Sequence, residues 1–385
     1  MKKTIYSLLL AGCMPLAVFA QDSTQFIKAS WKDLLVKAKK EHKPIFVDTY
    51  FEGCHACKDM EMRVFPVKEV KEYMQENFIN TGFDVFKEDF GFDLCARYML
   101  HGFPTYLIIS PEGKLVDMDL GYSDYDKFLA FLKQASSRYK NGQFHDGFAT
   151  NVKKDGPDWY QAMFSKNRIV PKDSVLLPFL AAQKNKMSEM AGKAMAIARN
   201  LPADYRAYYL ANRKQYQDKF GKDINSAILS NIINADLKEL PKSFDQAAFD
   251  AFIKKHEAEY AGADWQAIKM QFASGYFMRN KLYNEYLDYV IANNNMNDND
   301  VRVFAFNAGQ ELYKNPELAA KYTKWGMKAM NQHCSMEVLT GMSRFAEKAD
   351  HKAEAKQYMN WAAEKAEAMG MTDAATSYRS AAEKM

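Results

Sequence analysis

The hydrophobic pattern of this 385-residue chain changes near residue 140, and this change limits the folds that the chain can adopt. Before that point, short apolar runs of strand length alternate with segments of helical spacing. Such alternation is typical of a mixed sheet covered by helices. Nearly all of the later sequence has helical spacing. We therefore predict an α/β domain over residues 21–139, a linker region over 140–157 and an all-α domain over 158–385.

Local signals define the elements of the α/β domain. Ser30 and Asp33 have the spacing of a capping box and predict a helix over 31–41. Residues 44–50 form a mostly apolar, β-branched run, which is typical of a strand buried on both faces. Similar reasoning predicts further helices over 54–64, 67–77, 92–100 and 125–139, and further strands over 78–85, 104–110 and 115–120.

The N-terminus has the pattern of an export signal. Lys2 and Lys3 precede an apolar stretch, and Val18-Phe19-Ala20 then offers small residues at the positions that a signal peptidase requires. The stretch is shorter than the roughly 20 residues of a membrane span. We predict a signal peptide over 1–20 and a periplasmic or secreted protein. In the alternative, residues 10–13 are a lipoprotein cleavage box, and lipidated Cys13 attaches the protein to a membrane.

One close pair of cysteines points to redox chemistry. Five cysteines in so long a chain argue against a disulfide-stapled scaffold, whereas Cys54 and Cys57 lie three residues apart at a predicted helix start. Free N–H groups and the helix dipole favour a thiolate on Cys54, the predicted nucleophile. Cys57 lies one turn further on and is the predicted resolving thiol of a redox-active disulfide. His55, as imidazolium, would favour the thiolate further.

Two segments resemble known motifs of one family. Residues 45–58, with the sequence IFVDTYFEGCHACK, resemble the strand and active-site turn of the thioredoxin family. Residues 102–105, Gly-Phe-Pro-Thr, resemble the cis-proline loop of that family. Trp31, Val64 and Phe65 add a resemblance to the subfamily that includes the C-terminal domain of the disulfide-reductant conductor DsbD. The resemblance is limited to the α/β region and implies a thioredoxin fold there.

The resemblance also implies roles for individual residues. Phe103, Pro104 and Thr105 would bind extended peptide substrates, with Pro104 in the cis form. Asp48 matches a buried carboxylate that relays a proton during resolution, and burial would raise its pKa towards neutrality. Lys58 matches a position that is commonly basic in the family.

The sequence departs from the family pattern beside the cysteines. Gly53 stands where a tryptophan is usual, which removes an aromatic surface beside the site. Ala56 stands where thioredoxin has proline, and the His55–Ala56 pair between the cysteines will influence the reduction potential. The direction of electron transfer therefore stays open. We favour a reductase or isomerase because of His55 and the subfamily resemblance.

Other uses of cysteine were weighed. A zinc site would require a second pair of cysteines or histidines, and covalent haem would require histidine where Lys58 stands. A purely structural disulfide between Cys54 and Cys57 stays an alternative. We expect Cys95 and Cys334 to be small buried side chains, with a bridge between them as the alternative. No cofactor or metal is predicted.

The helical region contains a weak repeat. Tyr286, Tyr322 and Tyr358 recur every 36 residues, and Tyr289, Trp325 and Trp361 share that period. Periods of this size are typical of stacked helix pairs, and this one is weakly tetratricopeptide-like. We expect the aromatic side chains to fill the grooves between helices.

Two functions are compatible with these patterns. The first is an exported thiol–disulfide oxidoreductase that acts on disulfide-containing envelope proteins and draws electrons from a membrane donor. The second is a helical scaffold of the cell envelope with an accessory redox or redox-sensing domain. The 52 basic and 48 acidic residues are interleaved, which argues against nucleic acid as a partner.

Overall fold

The computed structural model describes residues 26–148, 152–165, 167–260, 265–295 and 297–385. The predicted signal peptide over 1–20, including Cys13, lies outside the described residues. Among the helices that are described, none combines the length and the apolar character needed to cross a membrane.

A four-stranded mixed sheet forms the centre of the α/β region. Its strands are β1 (Ile45–Tyr50), β2 (Ile79–Asp84), β3 (Thr105–Ile109) and β4 (Leu115–Leu120), in the spatial order β2-β1-β3-β4. Strand β1 pairs in parallel with β2 and antiparallel with β3, and β3 pairs antiparallel with β4. The predicted mixed sheet is confirmed.

Helices cover both faces of this sheet. They are α1 (Trp31–Glu41), α2 (His55–Asp59), α3 (Lys68–Asn77), α4 (Asp89–Tyr98) and α5 (Tyr125–Lys140). The capping box is confirmed, because the Ser30 hydroxyl accepts from the Asp33 N–H at 3.2 Å and donates to the Asp33 carboxylate at 2.6 Å. The predicted helix over 54–64 is divided, since α2 continues into a π-helical turn over Met60–Val64.

Strand β1 is buried on both faces, as its apolar sequence predicts. The Phe46 ring stacks on Tyr106 at 5.6 Å between centroids, and Phe128 of α5 meets Phe46 edge-on at 6.0 Å. Val47 points to the opposite face, where it joins a core that includes Leu94 of α4. Because each face of the sheet buries its own apolar set, α4 and α5 lie on opposite sides of it.

The described part of the chain after α5 is mainly helical. Its helices are α6 (Val152–Asp155), α7 (Asp158–Met163), α8 (Asp173–Ala181), α9 (Glu189–Ile197), α10 (Ala203–Ala211), α11 (Arg213–Asp236), α12 (Gln246–Glu259), α13 (Trp265–Arg279), α14 (Tyr283–Ala292), α15 (Asp298–Ala308), α16 (Glu311–Lys314), α17 (Pro316–Ala329), α18 (Met336–Lys348), α19 (Lys352–Ala368) and α20 (Thr372–Glu383). Gly221, with φ 78° and ψ 178°, interrupts α11. A left-handed φ of this kind favours glycine.

The recurring aromatic residues fill the space between helices. Phe304 of α15 stacks on Tyr286 at 5.6 Å and on Tyr322 at 5.3 Å. Trp325 meets Tyr286 edge-on at 5.9 Å, and its indole N–H donates to the Asn295 carbonyl at 2.7 Å. Both arrangements are favourable geometries for aromatic rings, so this part of the repeat has a packing role.

The predicted linker region is packed where the structure describes it. His145 forms a bridge with Leu115 of β4, and its N–H donates to the Leu115 carbonyl at 2.8 Å. The Gly147 N–H donates to the Lys219 carbonyl at 2.9 Å, and the Phe148 side chain is buried. These contacts join the α/β region to α11. The domain boundaries at 139 and 158 stay predictions.

Two buried lysines join the helical region to opposite sides of the α/β region. The Lys193 ammonium of α9 donates to the Arg97 carbonyl at 2.8 Å and to Glu189 at 2.7 Å. The Lys365 ammonium of α19 lies 3.0 Å from the buried carboxylate of Asp124, at the start of α5. The two regions therefore contact each other through α4 on one face of the sheet and through α5 on the other.

Candidate active site

The chain makes a tight turn between β1 and α2, and this turn positions the cysteines. The Cys54 N–H donates to the Phe51 carbonyl at 3.1 Å, and Gly53 has a φ of 91°. A side chain at this left-handed position would be strained, which gives a physical reason for glycine in place of tryptophan. Cys54 is the N-cap of α2, and its Sγ accepts from the Cys57 N–H at 3.2 Å.

A disulfide joins Cys54 and Cys57, whose Cα atoms are 5.3 Å apart. Both cysteines are 8% exposed and border an open groove. His55 and Lys58 border the same groove and are exposed, whereas Ala56 is half-buried. The sulfur atoms are therefore recessed, and a partner must enter the groove to reach them.

Asp48 lies on β1 beneath this groove. Its side chain is buried, and its Oδ1 has no hydrogen-bond partner within the described part of the chain. Burial raises the pKa of Asp48 to about 7, and the negative charge of Glu61 adds to the effect. The expected burial of Asp48 and its raised pKa are confirmed. A carboxyl group with this pKa can accept and return a proton near neutral pH.

The segment before β3 contains the predicted cis proline. The Phe103–Pro104 peptide bond is cis, as predicted. Antiparallel pairing places Thr49 opposite Thr105, and the Thr49 hydroxyl donates to the Thr105 carbonyl at 2.6 Å. Because β1 ends where β3 begins, the Pro104 loop lies at the edge of the sheet from which the chain leads to Cys54.

Thr105 supports this loop from within. Its side chain is buried, and its hydroxyl donates to the Gly102 carbonyl at 2.7 Å. That bond fixes the chain on both sides of Pro104. The predicted contact of Thr105 with a substrate stays a prediction, as do the substrate contacts of Phe103 and Pro104.

Comparison with protein families agrees with this geometry. A family model described as a thioredoxin-like domain matches residues 31–136. Residues 31–136 form a thioredoxin-like domain. The mixed sheet and the Cys54–Cys57 pair of this domain are those that the sequence resemblance predicted.

Individual proteins match limited parts of the chain. Spermatogenesis-associated protein 20 of Rattus norvegicus is 42% identical over 48 residues, which make up 12% of this chain and 6% of that protein. The C-terminal domain of Neisseria meningitidis DsbD, solved in the oxidised form, is 24% identical and covers 27% of this chain and 90% of its own, with a TM-score of 0.25. A structure described as DsbH oxidoreductase is 19% identical and covers 34% and 95%, with a TM-score of 0.26.

The structure adds residues to the site of the thioredoxin-like domain that sequence reasoning missed. Glu61 borders the groove and acts on Asp48 through its charge. It follows Cys57 by four residues, and this helical spacing could have indicated it. Phe51 and Phe86 lie near the predicted Phe103, with the Phe51 and Phe86 ring centroids 5.3 Å apart. No spacing signal connects Phe86 to the site, because it lies in the loop after β2.

Cys95 and Cys334, the cysteines outside the pair among the described residues, are buried and free. Burial raises the pKa of Cys95 to about 12 and also raises the pKa of Cys334. Both observations match the expectation of small buried side chains. The alternative of a Cys95–Cys334 bridge is wrong for this structure.

A cluster of metal-ligand residue types lies in the helical region. Asp236, His256 and Glu259 bring one potential ligand atom each within 4.8 Å of the others. The Arg206 guanidinium occupies this cluster, at 2.9 Å from Asp236 and 2.6 Å from Glu259. The cluster is thus organised as an ion-pair network around an arginine.

Proposed function

We propose that this protein is an exported thiol–disulfide oxidoreductase that reduces or isomerises disulfides of other proteins in the cell envelope. One observation carries the proposal. The Cys54–Cys57 disulfide lies at the start of a helix and shares a groove with a buried carboxyl group, Asp48, that has a pKa of about 7. This arrangement provides a nucleophile, a resolving thiol and a proton acceptor in one place.

In the reducing direction, the cycle begins with both cysteines as thiols. The Cys54 thiolate attacks one sulfur of a substrate disulfide, a bond forms between protein and substrate, and the other substrate sulfur leaves as a thiolate. The Cys57 thiolate then attacks Cys54 Sγ. The protein disulfide forms, the substrate receives two electrons in total, and its second thiolate leaves. The structure represents the oxidised end of this cycle.

Asp48 supplies the base for the second step. Cys57 must lose a proton before it can attack, and the Asp48 carboxylate can accept that proton within the groove. Since the pKa of Asp48 is about 7, ionised and neutral forms are both populated near neutral pH. The proton can return to solvent or to the departing thiolate.

A dithiol donor must restore the reduced protein after each cycle. Export would place the protein in an oxidising compartment, so we assign this role to a membrane electron donor. The reduction potential of the Cys54–Cys57 pair tests the direction. Equilibration with glutathione should give a value nearer to about −270 mV, as for thioredoxin, than to about −120 mV, as for DsbA. A value near the latter would contradict the reducing direction.

Trapping of substrates tests the catalytic role directly. Cys57→Ser keeps the nucleophile and removes the resolving thiol, so mixed disulfides with envelope proteins should accumulate on Cys54. Cys54→Ser is the matched control and should accumulate none through this position. Mass spectrometry of non-reduced complexes identifies the linked sulfur. No complexes with Cys57→Ser, together with no reduction of insulin by the parent protein in dithiothreitol, would contradict an oxidoreductase.

The scaffold alternative predicts a different result. If the helical region were the functional element, partner binding would survive when both Cys54 and Cys57 are replaced by serine. We favour the enzyme because the helical region contacts the thioredoxin-like domain through two buried lysines, Lys193 and Lys365. Such contacts suit a single working unit rather than an accessory domain.

Mature protein from the native host tests the export proposal. Cleavage after Ala20 would give an N-terminus at Gln21, whereas lipidation would leave an acylated Cys13. Intact mass spectrometry separates the two products. An unprocessed N-terminus at Met1 would contradict both.

A further inference from the structure

Three aromatic side chains form a cluster beside the redox-active turn. The ring centroids of Phe51, Phe86 and Phe103 are separated by 5.3 Å, 5.8 Å and 6.1 Å. Phe51 lies in the turn before Cys54, and Phe103 forms the cis peptide bond with Pro104. We call these three residues the aromatic cluster. It joins the turn before Cys54 to the cis-proline loop.

Phe86 presents this cluster to solvent. Its side chain is 48% exposed, although phenylalanine is usually buried. The Asp84 carboxylate accepts from the backbone N–H groups of Phe86 and Lys87, at 2.9 Å and 3.1 Å. These two hydrogen bonds hold the backbone of the loop that contains the exposed Phe86 ring.

The helical region contributes to the same surface. The Arg168 guanidinium lies over the Phe86 ring, 4.3 Å from its centroid, in a cation–π contact. The next two residues, Ile169 and Val170, are 58% and 63% exposed. Exposed apolar side chains thus occur both on the loop that contains Phe86 and on the loop between α7 and α8, and the Arg168 guanidinium connects the two loops. Phe86 is the exposed apolar side chain that contacts the redox-active turn, through Phe51.

We propose that the aromatic cluster binds an extended polypeptide segment that has a bulky apolar side chain next to its disulfide-bonded cysteine. This inference rests on the proposed function and names its substrate class. The recessed sulfurs favour an extended segment, because a cysteine on a rigid convex surface would not enter the groove that contains Cys54 and Cys57. The bulky apolar neighbour follows from the chemistry of the three rings, of which Phe86 is exposed.

The cluster also explains how the site can work without tryptophan at position 53. Because Gly53 has a left-handed φ, any larger residue at position 53 would strain the backbone. Phe86 comes from a different strand end and supplies aromatic surface from the other side of the turn. Phe86 therefore provides an aromatic surface next to the turn, although position 53 has no side chain.

Two short peptides test the inference. Each contains one cysteine in a mixed disulfide with thionitrobenzoate, whose release is followed by absorbance, and the residue next to the cysteine is phenylalanine or serine. The reduced parent protein should react about tenfold faster with the phenylalanine peptide, as expected for one apolar side chain in a favourable site. The ratio of the two rates is the measured quantity, because the reporter group is the same in both peptides.

Phe86→Ala should bring this ratio close to one. Phe306→Ala is the matched control, because Phe306 is 87% exposed on α15 of the helical region, and its ratio should equal that of the parent. Ile169→Ser, also at an exposed position, provides a second variant with little risk to folding. Circular dichroism confirms that each variant is folded.

The outcomes separate the two proposals. A parent that reacts equally fast with both peptides would overturn the inference while leaving the proposed function in place. A preference that survives in both Phe86→Ala and Ile169→Ser would also overturn it. A reduced parent protein that reacts with neither peptide would instead contradict the proposed function.

Discussion

Replacement of Asp48 by asparagine should change the pH dependence of stability in a defined way. The carboxyl group is buried, and burial raises its pKa from the usual 3.8 to about 7. Each pH unit of difference between folded and unfolded pKa corresponds to about 1.4 kcal/mol. The ionised carboxylate therefore costs the folded protein about 4 kcal/mol relative to the neutral acid.

The direction in which stability changes with pH follows from the number of protons that the folded and unfolded states bind. Below about pH 4 the Asp48 carboxyl group is neutral in both states and carries no penalty. Between about pH 4 and pH 7 the unfolded chain releases the proton while the folded protein retains it, so stability falls as pH rises. Above about pH 7 both states are ionised and the penalty is constant. Asparagine is neutral throughout and avoids this loss.

The assay is guanidinium unfolding of the oxidised protein at several pH values. The free energy of unfolding of Asp48→Asn, minus that of the parent, should rise by about 4 kcal/mol between pH 4 and pH 8. Glu112→Gln is the control, because Glu112 is an exposed carboxylate in the turn between β3 and β4. Its difference from the parent should stay within about 0.5 kcal/mol over the same range.

Two results would refute this reasoning. One is a stability difference for Asp48→Asn that does not change with pH. The other is direct observation, by carbon NMR of labelled aspartate, that the Asp48 carboxyl group titrates near its usual value. Either would mean that water or a neighbouring group solvates the carboxylate in the folded protein.

Three further predictions concern catalysis and packing. In Asp48→Asn, resolution of the mixed disulfide at neutral pH should slow by about 10²-fold or more, because general base catalysis is lost, and acid-quenched mass spectrometry should show the mixed disulfide accumulating. Lys365→Met leaves the buried carboxylate of Asp124 without its ammonium partner and should cost about 3–5 kcal/mol in denaturant unfolding, with recovery when Asp124→Asn is added. Gly147→Ala would place a Cβ against the Phe220 ring and should cost about 1–3 kcal/mol, whereas Gly341→Ala, with open space around it in α18, should not destabilise the protein.

Local signals predicted the thioredoxin-like domain well. Ser30 and Asp33 are three residues apart, so the helix start they define depends on no distant contact. The run Ile45–Tyr50 is mostly apolar, and this composition predicted correctly that helices cover both faces of the strand. The family resemblance implied the cis-proline loop at Pro104, and the structure shows that pairing of β1 with β3 brings this loop to the sheet edge near the Cys54 turn.

Features that depend on contacts between distant parts of the chain could not be predicted from the sequence. Lys365 and Asp124 are far apart in sequence, and a lysine on a helix normally extends into solvent. The exposed Phe86 belongs to the site only because its loop folds back against Phe51. Gly147 resembles a flexible linker residue, but its missing side chain admits a neighbouring ring. Glycine suits flexible chain and close packing alike, so composition does not distinguish these uses.

The contacts on both faces of the sheet bear on how the protein can be divided. Lys193 meets α4 and Lys365 meets the start of α5, and α4 and α5 lie on opposite sides of the sheet. A fragment consisting of residues 26–140 would expose apolar surface and unpaired buried groups on both sides. We therefore expect residues 26–140 to be less stable when they are produced without the helical region. The same two attachments hold the helical region against both sides of the sheet from which the chain leads to the Cys54–Cys57 disulfide.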